Sequence, residues 1–132
     1  MLESARLVHS MDQDLSNLER YWNCRLTTLG RRSGEPRQVT IWFALGPGRV
    51  YLTGGAGYPH WCKNLEAQSE VSVRIGGENL TGRARIIEAP DEAKAIRHRF
   101  VDRYWLARLS RLFGGYTDSI PVVVEIETRT LL

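Results

Sequence analysis

The sequence predicts an α+β, mainly β domain: a small, partly closed antiparallel barrel of six strands with flanking helices. Three observations lead there. Short segments of alternating apolar and polar residues outnumber helical ones, glycine- and proline-bearing turns join them as hairpins, and no regular strand–helix–strand alternation appears. The last point argues against a doubly wound parallel sheet, and short connections between six strands favour a small barrel. The 132 residues suit one domain, residues 1–132, with a single sizeable core.

Taken in order, Met11, Leu15, Leu18 and Trp22 recur at three- and four-residue steps, which predicts an N-terminal helix within residues 1–22 packing on the barrel. Arg25–Leu29 is β-prone and ends at Gly30, where the polar turn Arg31-Arg32-Ser33-Gly34-Glu35-Pro36-Arg37 begins. Val39, Ile41, Phe43 and Leu45 alternate with Gln38, Thr40, Trp42 and Ala44 as one strand. Gly46-Pro47-Gly48 then closes a hairpin into Arg49–Thr53. Pro59 precedes a short helix, His60–Ala67. Val71, Val73 and Ile75 alternate, Gly76-Gly77 supplies a tight turn, and Leu80, Gly82, Ala84 and Ile86 alternate on the return. Pro90 with Asp91 and Glu92 opens a longer helix, with proline in the first turn and acids at the positive end of the dipole. Ala93, Ile96, Phe100 and Tyr104 form its apolar stripe, Gly114-Gly115 ends the helical region, and Ile120–Ile126 is a last strand.

Composition narrows the class. A hydrophobic share of 42% beside 25% charged residues is ordinary for a folded domain and excludes wholesale disorder. No apolar run approaches the ~18 residues of a membrane span. Glu3, Arg6, Asp12 and Asp14 interrupt any signal-peptide core, so a cytoplasmic protein is expected. Cys24 and Cys62 are too few for a disulfide framework and read as packed thiols. His9, His60 and His98 are scattered, no metal site is predicted, and no Walker-type or G-x-G-x-x-G sequence occurs.

Two segments can carry chemistry. Net charge is +3, and Lys63 and Lys94 are the only lysines, so the positive charge sits almost wholly in arginine. Arginine grips phosphate and carboxylate in a bidentate way that lysine cannot match. Arg31, Arg32 and Arg37 lie within seven residues around Ser33-Gly34, so they can converge on one anion while turn N–H groups add donors. The alternative is a solvated hairpin tip. Thr53-Gly54-Gly55-Ala56-Gly57 directly follows a strand and lets a ligand approach the backbone. Together these could wall a cleft for a flat ring with an anionic tail.

Leu26-Thr-Thr-Leu-Gly-Arg-Arg-Ser-Gly-Glu-Pro-Arg37 resembles the Leu-Thr-Thr-x-Gly-Arg-[Arg/Lys]-[Ser/Thr]-Gly-x-Pro-Arg signature of the deazaflavin-dependent nitroreductase family. Gly54-Gly55, Trp61-Cys-Lys-Asn-Leu65, Val71–Ile75 and Ile120–Val124 are similar to later family segments, so the resemblance covers about residues 22 to 127. It implies a split β-barrel, as in flavin-binding proteins of that type, that binds coenzyme F420, with FMN as the alternative. By the same resemblance Arg31, Arg32, Ser33 and Arg37 would hold the phosphodiester and oligoglutamate tail. Thr40, Ile41 and Trp42 would line the ring pocket, Thr53, Gly54 and Gly55 would give backbone contacts, and His60, Trp61 and Asn64 would sit beside the cofactor. The implied activity is hydride transfer to an electron-poor acceptor, a quinone, an activated alkene or a nitro compound. Such a cofactor carries the difficult chemistry, so no catalytic dyad is required; Tyr116 and His60 are the candidate proton donors. The family commonly has Ser-Lys-Gly-Gly where this chain has Leu52-Thr53-Gly54-Gly55, which leaves the tail to the three arginines.

Two rival readings stand beside this one. The same barrel could be a non-catalytic carrier of F420, FMN or a lipid-like acid. Arg97, Arg99, Arg103, Arg108 and Arg111 on the later helix raise nucleic-acid binding, but no nucleic-acid motif accompanies them and none is expected. Leu106, Leu109, Leu112 and Phe113 among those arginines suit contact with a membrane surface or a partner helix. An open barrel of this size also suits a homodimer that protects sheet edges.

Overall fold

A computed structural model describes residues 5–7, 14–53, 59–104 and 120–132. One curled antiparallel sheet holds eight strands: β1 Ala5–Leu7, β2 Cys24–Leu29, β3 Pro36–Ile41, β4 Phe43–Gly46, β5 Arg49–Thr53, β6 Glu70–Ile75, β7 Glu78–Ile86 and β8 Pro121–Leu131. Their order is β3-β2-β6-β7-β8-β5-β4, with β1 pairing on β8, and every pairing is antiparallel. Helices α1 His60–Ala67 and α2 Pro90–Arg103 flank it. All six expected strand segments are present; the count rises to eight because β1 is added and the segment around Trp42 divides into β3 and β4. Those two are the outer strands of the sheet, yet they are consecutive in the chain. Curling the sheet until its two edges meet through Trp42 makes the partly closed barrel.

The alternation through that corner survives the break. Val39, Ile41, Phe43 and Leu45 face the barrel interior, where they join Leu26, Val50, Leu52, Val73, Ile75, Leu80, Val122, Val124 and Ile126. Trp42 and Ala44 face outward and pack with Tyr51 and Val123 under Ala93, Ile96, Phe100 and Tyr104 of the α2 stripe. Burial on both faces explains why Val122-Val123-Val124 is apolar without alternation.

The ladder breaks at Trp42 because a side chain takes over its hydrogen bonds. The Tyr104 hydroxyl accepts from Phe43 N–H at 3.3 Å and from Arg103 Nε at 2.9 Å, and its oxygen lies 2.7 Å from Trp22 O and 2.8 Å from Phe43 O, the two carbonyls that can accept its one proton. Its ring stacks on Trp42 with centroids 4.4 Å apart. Tyr104 is 1% exposed, so removing the hydroxyl strands buried polar groups rather than returning them to water. Tyr104→Phe should cost about 2 kcal/mol and lower Tm by roughly 8 °C in thermal melts.

The expected helix within residues 1–22 is not what the described residues form. They contain β1 and a single 3₁₀ turn, Ser16–Leu18. Asp14 Oδ1 accepts the Ser16 N–H at 2.9 Å, a side-chain bond that competes with a helical turn. Beyond it, Tyr21 O is taken by Arg103 Nη2 and Trp22 O by the Tyr104 hydroxyl, so these carbonyls serve α2 instead of a helix of their own. Leu15 and Leu18 are buried as the apolar pattern implied, whereas Trp22 is 64% exposed. Met11 lies outside the described residues.

Arginines of α2 are likewise occupied within the fold. Arg99 Nη1 donates to Leu45 O at 3.0 Å and lies over the Tyr51 ring, and Arg103 lies over Phe43. Cys24 and Cys62 are buried free thiols, and burial pushes both up to about 12. In the unfolded chain these thiols lose their protons near 9.0, whereas the fold keeps them protonated. Their contribution is therefore whole below about pH 9 and is lost as pH rises towards 12. Denaturant titrations across that range should show stability falling, and neither thiol should react with a thiol reagent at pH 8 before unfolding.

Candidate functional site

The β2–β3 turn is built by its own backbone. Gly30 N–H donates to Glu35 O and Gly34 N–H to Gly30 O, both at 2.8 Å, and Ser33 Oγ accepts from Glu35 N–H at 3.1 Å. Gly34 has φ of +72°, the left-handed region that favours glycine. At Gly30 a Cβ would come within 2.6 Å of Ser33 Oγ, so a side chain there would push that hydroxyl from its place against Glu35 N–H. The result is a tight tip that holds Arg31 and Arg32 out from the sheet. Arg37 stands opposite Thr28 in the β2–β3 register and so shares the face of that residue.

Helix α1 lies beside this tip and completes a cleft of about 340 Å³. Arg31, Arg32, Ser33 and Arg37 line one side, His60, Trp61 and Asn64 the other, and Thr28, Gly30 and Val39 complete the lining. Asn64 joins the two sides. Its Oδ1 accepts both the Arg31 backbone N–H at 3.2 Å and Arg31 Nη1 at 3.1 Å, while Nδ2 donates to Thr28 Oγ1 at 3.2 Å. Arg31 Nη2 meets His60 Nδ1 at 3.4 Å. Asn64 and Thr28 are 4% and 1% exposed, the two buried polar side chains among the described residues.

Arg49, Arg83, Arg85 and Arg129 each pair with a glutamate. Among the described residues, none of Arg31, Arg32 and Arg37 is in an ion pair. Two cavities of about 360 and 480 Å³ lie elsewhere, but each sets carboxylates beside its arginine: Asp14 and Glu19 by Arg99, Glu66 and Glu88 by Arg85. Of these three, the 340 Å³ cleft is the one that combines arginines outside any ion pair, a glycine turn and an aromatic wall, which is what a large anion with a ring requires.

The remaining expected site residues are placed as follows. Thr40 is exposed on β3 opposite Arg25, Ile41 packs against the interior, and Trp42 stacks on Tyr104 outside the barrel. Thr53 ends β5 opposite Pro121. None of these four lines the cleft. Gly54, Gly55 and Tyr116 lie outside the described residues. Thr28, Gly30 and Val39 line the cleft without having been singled out; the one signal for Thr28 was its place inside the Leu-Thr-Thr stretch.

A family model for F420H(2)-dependent quinone reductases matches residues 8–127. Among solved structures, an F420-H2 dependent reductase, FDR-A, is 26% identical, with a TM-score of 0.64 over 89% of this chain and 99% of that one. A second, described as a domain-swapped dimer, is also 26% identical, with a TM-score of 0.65 over 89% and 84% of the two chains. The heme storage protein HutZ from Vibrio cholerae has a TM-score of 0.71 over 89% and 91% at 12% identity, a likeness of fold alone. The curled sheet and flanking helices are those of the split β-barrel.

Proposed function

Because the chain belongs to the F420H(2)-dependent quinone reductase family, and is thus an F420-dependent oxidoreductase, we propose that its arginine cleft holds the coenzyme by the anionic tail and that the acceptor is a quinone. The carrying observation is the set of Arg31, Arg32 and Arg37 around one cleft without a carboxylate to neutralise them. Such a cluster costs repulsion unless an anion completes it. Reduced F420 supplies a hydride when bound; the protein supplies position and electrostatics.

Arg31 is the pre-oriented arm, tied to Asn64 and His60, and presents its other guanidinium N–H groups to a phosphodiester. Arg32 and Arg37 are exposed and read the carboxylates of the oligoglutamate tail. Trp61 gives the cleft its aromatic wall, and the backbone at Thr53-Gly54-Gly55 with the strand Thr40–Trp42 would take the ring end. His60 belongs to the anion end, since its Nδ1 meets the Arg31 guanidinium. Proton delivery to the reduced acceptor then falls to solvent or to Tyr116. The relative described as a domain-swapped dimer prompts a dimer here too, which light scattering in solution would read.

Spectral titration with oxidised and reduced F420, and separately with FMN, tests the binding. Micromolar or tighter affinity for F420 and none for FMN is expected; no saturable F420 binding would refute the proposal. Turnover of a quinone series beside activated alkenes and nitro compounds then tests the acceptor, and binding without any turnover would leave the carrier reading instead.

A further inference from the structure

We infer that Thr28 is a positioning residue for the anion site, acting through Asn64 to aim the Arg31 guanidinium. The inference rests on the F420 reading for its ligand but on the structure for its mechanics. Arg31 offers two donors to one atom: its backbone N–H at 3.2 Å and Nη1 at 3.1 Å both point to Asn64 Oδ1. That demand decides which way the Asn64 amide faces. With Oδ1 turned to Arg31, the amide nitrogen faces β2, and Thr28 Oγ1 at 3.2 Å is the acceptor that receives it.

Without that acceptor the arrangement is frustrated. Asn64 is 4% exposed and Thr28 1%, so no water replaces the lost partner. An apolar residue at 28 leaves Nδ2 unsatisfied, and rotating the amide to relieve it would turn an N–H group toward the two Arg31 donors. Either outcome loosens the one arginine of the three that is held. Arg32 and Arg37 have no such support, so an anion ordering them must overcome rotamer freedom that Arg31 has already lost. Thr28 is buried at the base of the cleft and bonds Asn64, so its effect passes through Asn64.

Thr28→Val keeps the shape and removes the acceptor, whereas Thr28→Ser keeps the acceptor. In the purified full chain, F420 affinity should fall about tenfold in Thr28→Val and stay within about twofold of the unaltered protein in Thr28→Ser. In an Arg31→Ala background Thr28→Val should have no further effect, because a residue acting through Arg31 has nothing left to aim. Nitrogen–proton NMR signals of the Arg31 guanidinium give a readout that needs no coenzyme. They should report a restrained group in the unaltered and Thr28→Ser proteins and a freely rotating one in Thr28→Val. If Thr28→Val does not fold, Thr28→Cys, a poorer acceptor of similar size, takes its place in both measurements.

Equal losses in the presence and absence of Arg31 would make Thr28 a general packing residue and overturn the inference. Unchanged guanidinium motion in Thr28→Val would do the same. Failure of the unaltered protein to bind F420, with Arg31 restraint still dependent on Thr28, would instead overturn the proposed function and leave the positioning role standing.

Discussion

Arg31→Ala weakens F420 binding by about a hundredfold, the largest loss expected from any single change in the cleft. The figure corresponds to roughly 2–3 kcal/mol for a charge-assisted, pre-oriented contact. Arg32→Ala and Arg37→Ala should cost less, about three- to tenfold each, since those side chains must first be ordered by the ligand. Arg31→Lys should fall between, because an ammonium restores the charge but not the planar fork that meets Asn64 Oδ1 and His60 Nδ1 together. Melting temperature should hardly change in Arg31→Ala. The side chain is exposed, and the backbone N–H that anchors the turn to Asn64 remains. Spectral titration at two salt concentrations checks this: the variant should lose both affinity and part of the salt dependence. Equal affinity in variant and unaltered protein would place the anion elsewhere.

Gly82→Ala has the largest expected effect on stability, with a loss of more than about 3 kcal/mol and a Tm lower by at least 10 °C. Gly82 sits where the β7–β8 register shifts: Thr81 pairs with Thr128 but Gly82 pairs with Ile126, so Glu127 is the extra residue of a bulge. A Cβ on Gly82 would come within 2.0 Å of Glu125 O, 2.8 Å of Glu125 C and 3.1 Å of Ile126 Cα. These are backbone atoms of a central strand, and no side-chain rotation relieves them. Separating β7 from β8 would open the interior around Leu80, Val124 and Ile126, all at most 1% exposed. Gly77→Ala is the control. Nothing lies within 4 Å of its added Cβ and its φ is not left-handed, so its stability should stay within about 0.5 kcal/mol. Similar melts for the two variants would contradict the close approach at the bulge.

Much of the fold was legible because its signals are local. The Val71–Ile86 hairpin with its Gly76-Gly77 turn appears as β6 and β7, and Pro90, Asp91 and Glu92 open α2 where the capping pattern placed them. The four residues of the α2 stripe are all buried. What failed to show depended on partners far along the chain. Leu15 and Leu18 carried a helical spacing, but Arg103 and Tyr104, over eighty residues later, claim the carbonyls of Tyr21 and Trp22. Trp42 belonged to an unbroken alternation, and only the sheet's curl turned it into a corner. Gly82 read as one position of an alternating strand; the carbonyl of Glu125 that requires a glycine there is 43 positions away.

The same division runs through the site. By itself the sequence determined a glycine-shaped turn carrying Arg31, Arg32 and Arg37, because turn chemistry and charge clustering act within a few residues. Tertiary structure alone decided that α1 lies against that turn, that Asn64 binds Arg31 from 33 residues away, and that Thr28 sits behind it. Three exposed arginines equivalent in sequence thereby become one held arm and two without such a tie. The difference comes from a buried hydrogen-bond network, which exists only once the barrel has brought β2 and α1 together and excluded water between them.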